Sequence, residues 1–164
     1  MRSLPMSFLV VGGLWYGVVA MADTELPLQK AGLWETRSQQ TIMGRAHDAV
    51  SKSCLSNEVQ KQMKSMADGM NKQNQCRATI THPSANTYVT ESRCTGGSLA
   101  GSVISTTTVY ENDSVIHQEI HTQKGSTDFV ARQDSRYLGS CPADMKPGDT
   151  VLSNGMKVNL VSPQ

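Results

Sequence analysis

Weak alternation of apolar and polar positions predicts two strands in the first third of the chain. In residues 30–43, Trp34 and every second residue after it fall on one strand face. Residues 49–55 predict a second, shorter strand that ends near Cys54. The segment before these strands, residues 23–29, contains Pro27 and predicts a flexible lead-in rather than a regular element.

The apolar positions of residues 56–71 instead recur at helical spacing. Ser56 can cap the first turn, where the helix macrodipole also favours Glu58. The apolar positions of this helix are Val59, Met63, Met66 and Met70. Methionine thioethers can bind copper or haem, but flexible methionine side chains more often fill gaps in a core. We therefore expect this stripe to pack against the rest of the protein.

From residue 75 onward, short β-branched runs separated by turn residues predict a β-meander. The predicted strands cover residues 77–81, 88–92, 99–110, 115–123 and 126–137. The Asn154–Gly155 pair adds the strongest hairpin signal of the chain near its end. The predicted fold class is mainly β with one helix. We expect an antiparallel meander that forms a curved sheet or a partly open barrel, with one α-helix packed on it and disulfides holding it together.

The N-terminal residues have the order of a cleaved signal peptide. Arg2 gives a positive start, residues 6–19 are almost wholly apolar, and Ala20 and Ala22 place small side chains at a cleavage site. The apolar stretch is shorter than the roughly twenty residues that a membrane-spanning helix needs. The predicted organisation is a signal peptide in residues 1–22 and a single extracytoplasmic β-rich domain in residues 23–164.

Four cysteines follow the predicted leader, at positions 54, 76, 94 and 141. An even number of cysteines in an exported chain predicts disulfides, and four cysteines allow three pairings. If residues 77–81 and 88–92 form a hairpin, Cys76 lies opposite Arg93 or Cys94. This geometry favours a Cys76–Cys94 disulfide, with Cys54–Cys141 as the second. Paired C-x2-C spacings typical of zinc sites are absent from the sequence.

The charge balance bears on possible partners. The whole chain carries 15 Lys and Arg and 14 Asp and Glu, and removal of Arg2 with the leader makes the two equal. A neutral chain with scattered charges predicts no general affinity for nucleic acid. We also expect no stable membrane insertion once the signal peptide is removed.

One group of residues invites a catalytic interpretation. His117, Glu119 and His121 share a strand face, but two histidines four residues apart on a strand lie about 13 Å from each other. They therefore do not form one zinc site, and their order differs from that of a zinc-protease helix. The sequence predicts no catalytic, cofactor-binding or metal-binding residue and no cofactor.

Several short motifs occur together in an order that resembles a known family. They are Gly-Leu-Trp-Glu (residues 32–35), Cys-Leu-Ser (residues 54–56), Cys76, Cys94, and Arg-Tyr-Leu-Gly-Ser-Cys-Pro (residues 136–142). Together they resemble the exported bacterial family of domain-of-unknown-function 3617, over roughly residues 30–141. The resemblance implies a periplasmic or secreted protein of a Gram-negative bacterium. It implies no activity, cofactor or catalytic residue.

These observations together predict a non-enzymatic periplasmic module that binds either a small hydrophobic ligand or another envelope protein. The side chains that could line a ligand cavity are Trp34, Met63, Met66 and Phe129. The alternatives are a hydrolase-type periplasmic enzyme, with His117 and His121 as its best candidates, and a purely structural envelope protein.

Overall fold

The computed structural model describes residues 25–42 and 45–161, which form an antiparallel sheet with one α-helix. The predicted signal peptide, residues 1–22, lies outside the described residues. The strands are β1 (Gly32–Ile42), β2 (Arg45–Leu55), β3 (Cys76–Ser84), β4 (Thr87–Cys94), β5 (Ser102–Asn112), β6 (Val115–Lys124), β7 (Thr127–Gly139), β8 (Asp149–Leu152) and β9 (Lys157–Asn159). Helix α1 (Asn57–Gln73) connects β2 to β3, and a short 3-10 helix (Gly97–Leu99) precedes β5.

The sheet is an open antiparallel array in the order β3-β4-β5-β6-β7-β1-β2-β8-β9. Strands β3 to β7 form the predicted meander. The N-terminal hairpin of β1 and β2 extends the meander, because β1 pairs with β7. The hairpin of β8 and β9 pairs with β2 and completes the sheet. The predicted fold class, mainly antiparallel β with one helix, is confirmed, and among the described strands the sheet does not close into a barrel.

The two faces of the sheet differ in character. The register places Trp34, Tyr88, Ile116 and Ala131 on one face, where all four are buried. We call this the inner face. The opposite, outer face carries ion pairs between neighbouring residues, such as Arg132 with Glu119. These side chains therefore follow the period of two that a sheet with one apolar face requires.

Trp34 anchors the inner face. It is 1% exposed, and its indole Nε1 donates a hydrogen bond of 2.8 Å to the backbone oxygen of Lys30. Its ring meets Tyr137 edge-on, with 5.6 Å between ring centroids. Because Tyr137 lies on β7 and Trp34 on β1, this contact packs the N-terminal hairpin against the meander.

Both disulfides join the cysteines that the sequence favoured. Cys76 and Cys94 lie directly opposite in the register of β3 and β4, and Cys54 joins Cys141 with 5.5 Å between Cα atoms. Cys54 lies just before helix α1 and Cys76 just after it. The two disulfides therefore attach both ends of the helix to the rest of the protein.

The expectation that the methionine stripe of α1 fills the core is wrong. Val59 is buried, but Met63, Met66 and Met70 are 40%, 54% and 59% exposed. Residues 61–70 are exposed throughout. The helix is held at its two ends, and its middle stands away from the sheet, which leaves its apolar side chains only partly covered.

Candidate functional site

A groove of about 590 Å³ lies between helix α1, the inner face of the sheet and the segment that precedes β1. We call this segment, residues 25–31, the N-terminal strap. The larger apolar side chains that line the groove are Leu26, Leu28, Leu55, Met63, Ile80 and Tyr110. They come from the strap, the helix and three strands, so the groove exists only in the folded chain.

Helix α1 forms one wall of the groove, and its ends are fixed by local contacts. The side chain of Ser56 accepts a hydrogen bond from the backbone N–H of Val59 and caps the first turn, as predicted. At the other end the buried Asn74 donates from Nδ2 to the Met70 carbonyl and accepts from the Leu99 N–H. The helix is thereby held between β2 and the loop before β5.

The strap crosses one end of the groove and is tied to both walls. On the helix side, the Gln29 N–H donates to Gln60 Oε1 at 2.7 Å, and Gln60 Nε2 donates to the Gln29 carbonyl at 2.9 Å. On the sheet side, the Tyr110 hydroxyl donates to the Pro27 carbonyl at 3.2 Å. These polar contacts position the strap while Leu26 and Leu28 line the groove.

The floor of the groove consists of uncharged residues on the inner faces of β3 to β6. Ile80 on β3 lies opposite Thr90 on β4, and both line the groove. Gln118 on β6 also lines the groove, and its Nε2 donates to Thr108 Oγ1 at 3.1 Å. Because Thr108 is 2% exposed, this bond holds the Gln118 amide in a defined position.

Tyr110 stands at the junction of strap and floor. Its ring meets Tyr88 edge-on, with 5.6 Å between ring centroids. Burial raises the pKa of the Tyr110 hydroxyl, and the neighbouring Tyr88 raises it further. The Tyr110 hydroxyl therefore stays protonated at neutral pH and remains a hydrogen-bond donor.

The charged residues that line the groove lie on the strap and the helix. Lys64 pairs with Asp68 at 3.3 Å and with Glu25 at 3.5 Å. The hydrogen bond that Lys64 donates to Asp68, followed by the charges of both acids, raises the pKa of Lys64. These three groups neutralise each other in part and form a polar rim above the uncharged floor.

The four side chains that the sequence predicted to line a ligand cavity lie in different parts of the structure. Met63 lines the groove. Trp34 is buried in the core of the inner face. Met66 is exposed on the helix, and Phe129 lies on β7 opposite Thr122; neither of these two lines the groove.

The histidines that the sequence marked as catalytic candidates lie on the outer face, away from the groove. Nδ1 of His117 is 2.6 Å from Asp134, and its Nε2 is 3.1 Å from Glu111. These two carboxylates raise the pKa of His117, and the hydrogen bond between His117 and Asp134 is the largest cause. His121 instead contacts Glu119 at 2.7 Å. The hydrogen bonds of both His117 nitrogens leave neither as a free general base.

Residues 25–42 and 45–161 contain no group of three or more His, Cys, Asp or Glu side chains arranged to hold a metal ion. Over the same residues, no helix combines the length and apolar character needed to cross a membrane.

The fold and the groove define a class: a disulfide-bonded protein with an open antiparallel sheet and one helix set apart from its inner face. The chain matches the family model described as "Protein of unknown function (DUF3617)" over residues 29–141, and it belongs to that family. The match spans β1 to β7 and ends at Cys141. Neither a curated protein nor a solved structure matches the chain.

Sequence reasoning missed most of the groove. Leu26 and Leu28 lie in the segment that Pro27 marked as a flexible lead-in, although two leucines beside a proline could have indicated an apolar contact. Ile80 and Gln118 share the inner face because of the strand register, which fixes their side through the period of two. The sequence contained this alternation, but the position of the helix above it was not encoded in a local pattern.

Proposed function

We propose that this protein is a periplasmic binding module that carries a small apolar ligand in the groove beneath helix α1, without catalysing a reaction. The observation that carries the proposal is the exposure of large apolar side chains around a single groove. Leu26, Leu28 and Met63 are 39%, 50% and 40% exposed although they come from two different elements that converge there. A ligand in the groove would cover them.

The size and lining of the groove fit this function. Small-molecule sites generally have volumes of about 300–1,000 Å³ and are mainly apolar with a few polar groups. The groove volume of about 590 Å³ falls within that range. Covering apolar surface would stabilise the complex by roughly 25 cal/mol for each Å² removed from water, before the costs of association.

Two features support the periplasmic location. The leader pattern of residues 1–22 is that of a signal peptide, and two disulfides are typical of proteins in oxidising compartments. The family resemblance further suggests a Gram-negative bacterium. The disulfides also serve the proposed site directly, because they hold the ends of the helix that forms one wall.

A second candidate function is docking of an envelope protein. It is favoured by Met66 and Met70, which are 54% and 59% exposed but do not line the groove. Flexible methionine side chains are common on surfaces that bind protein partners.

The other two alternatives have less support. Both ring nitrogens of His117 are hydrogen-bonded, which argues against the hydrolase alternative. No structural observation specifically favours a purely structural envelope role.

Native mass spectrometry of the protein, isolated from periplasm without denaturant, tests the proposal first. We expect an added mass that disappears on denaturation and that belongs to an apolar molecule. When the extracted ligand is added back to the ligand-free protein, it should displace an uncharged fluorescent apolar probe, N-phenyl-1-naphthylamine, from the groove.

A matched pair of variants locates the binding. Met63→Lys places a charge in the groove, whereas Met156→Lys changes a methionine of similar exposure on the loop between β8 and β9. We expect the first variant to lose the ligand and the second to keep it. Equal ligand content in both variants would contradict binding in this groove, and a bare protein with a co-purifying polypeptide would favour the docking alternative.

A further inference from the structure

The distribution of charge in the groove limits what it can hold. Of the groove-lining residues that the structure describes, the charged ones are Glu25, Lys64 and Asp68, all on the strap or the helix. The sheet side contributes Leu55, Ala78, Ile80, Thr90, Tyr110 and Gln118, none of which is charged at neutral pH. A ligand on the floor therefore meets no group of opposite charge.

An anionic ligand would gain little from the rim. Lys64 is the cation among these lining residues, and both Glu25 and Asp68 already pair with it. A carboxylate approaching Lys64 would have to displace these acids or lie beside them. Burial of a charge without a partner is costly, so an ionised head group would remain in water or be excluded.

The floor offers a hydrogen-bond acceptor to a neutral ligand. The Nε2 of Gln118 donates its hydrogen bond to Thr108 Oγ1. Among the described residues, no donor reaches the Gln118 Oε1. Gln118 lines the groove and the Thr108 bond fixes the direction of its amide, so Oε1 is held in one direction before any ligand arrives. An acceptor held in this way selects a ligand with a hydroxyl or N–H donor.

We infer that the groove is selective for an uncharged apolar molecule with a hydroxyl group, and that Gln118 accepts a hydrogen bond from this hydroxyl. The inference rests on the proposed function and specifies the ligand class of the same site. A long-chain alcohol satisfies both requirements, because its chain covers the leucines of the strap and its hydroxyl reaches the floor. A fatty acid of the same chain length offers the same apolar chain but carries the excluded charge.

Calorimetric titration with dodecan-1-ol and with dodecanoate, at neutral pH and below the concentration at which either aggregates, tests the charge preference. We expect the alcohol to bind about tenfold or more tightly than the carboxylate, because the carboxylate must give up hydration without gaining a partner. Dodecanoate binding that equals or exceeds alcohol binding would overturn the inference and leave the apolar groove in place. Absence of binding by both molecules would instead contradict the proposed function itself.

A substitution tests the role of Gln118. In wild type, dodecan-1-ol should bind more tightly than its methyl ether, which has the same chain but no hydroxyl donor. Gln118→Leu should remove this preference, which we expect to be about fivefold for one hydrogen bond. The control is Gln133→Leu, since Gln133 lies opposite Gln118 on β7 and does not line the groove.

These variants separate a binding role from a structural one. If Gln118→Leu weakens the alcohol and the ether equally, the residue shapes the groove without accepting the hydroxyl, and the assigned role is overturned. If Gln133→Leu abolishes the preference as well, the effect does not come from the groove and the assignment also fails. Retention of the preference in Gln133→Leu and its loss in Gln118→Leu would support the proposed contact.

Discussion

The side chain of Gln60 and the backbone of Gln29 exchange two hydrogen bonds, at 2.7 and 2.9 Å, and thereby join helix α1 to the N-terminal strap. The two residues are 31 positions apart in the chain. One amide side chain satisfies both the donor and the acceptor of a residue that belongs to no strand. The strap consequently behaves as part of the groove although it has no regular secondary structure.

Replacement of Gln60 should release the strap. In Gln60→Ala we expect the amide of Gln29 to exchange its hydrogen about thirtyfold faster, because two hydrogen bonds are lost and each is worth about 1 kcal/mol. Hydrogen exchange followed by NMR measures this directly. The control is Gln62→Ala on the exposed part of the same helix. Equal exchange of Gln29 in the two variants would contradict the role of Gln60.

Removal of the disulfides should destabilise the fold, and to different extents. The Cys54–Cys141 disulfide closes a separation of 87 residues and Cys76–Cys94 one of 18. The chain-entropy relation then gives losses of about 4.5 and about 3 kcal/mol in the free energy of unfolding for paired Cys→Ser variants. Urea unfolding compares the two, and the reverse order of stability would show that loop length does not govern their contributions.

Two glycines should respond to alanine in opposite directions. Gly32 has φ of +140°, and a Cβ there would collide with the Gly139 carbonyl and the Tyr137 ring. Gly32→Ala should therefore cost about 1–3 kcal/mol in the free energy of unfolding.

Gly69 is the opposite case, since it lies inside helix α1 with nothing within 4 Å of an added Cβ. Gly69→Ala should raise the free energy of unfolding by about 0.5–1 kcal/mol, because alanine loses less entropy than glycine in a helix. Thermal unfolding of both variants provides the comparison. A stabilised Gly32→Ala variant would contradict the close approach of β1 to β7.

The His117 cluster predicts a pH dependence of stability. The carboxylates of Asp134 and Glu111 raise the pKa of His117 above the ordinary value of 6.5. The contribution of protonated His117 to the free energy of unfolding is therefore fully present below about pH 6.5. It is lost as the pH rises through the raised pKa of His117. Because His117 is 46% exposed, we expect the effect to stay below about 1 kcal/mol.

Thermal unfolding from acid to alkaline pH, with NMR titration of the imidazole, checks this sign. His117→Gln should lose the part of the pH dependence that lies above neutrality, whereas the control His47→Gln on β2 should keep it. A wild-type protein that gains stability over the same alkaline interval relative to His117→Gln would show that the sign is wrong.

The sequence predicted the parts of the fold that depend on local patterns. Ser56 marked the start of α1, the turn residues separated the strands of the meander, and the hairpin register brought Cys76 opposite Cys94. These features depend on capping, turn chemistry and alternation, all of which act between residues that are close in the chain.

The groove depends instead on distances between elements, which local patterns do not encode. The helical spacing of Met63, Met66 and Met70 predicted one apolar face, and that face exists. The prediction that this face is buried was wrong, because a core position requires a second surface at packing distance. Here the disulfides hold the helix by its ends and leave a space beneath its middle. The same geometry converts a predicted core residue, Met63, into a groove residue.

An open sheet also has two edges, and both are poor templates for pairing with another molecule. At one edge β9 has three residues, which offers few backbone groups. At the other edge β3 contains Pro83, which lacks an N–H, and its pairing with β4 shifts between Thr81 and Ser84. Short strands, proline and irregular pairing are the means by which natural sheets avoid aggregation through their edges. The open architecture that leaves room for a groove is thus combined with edges that resist the addition of a tenth strand.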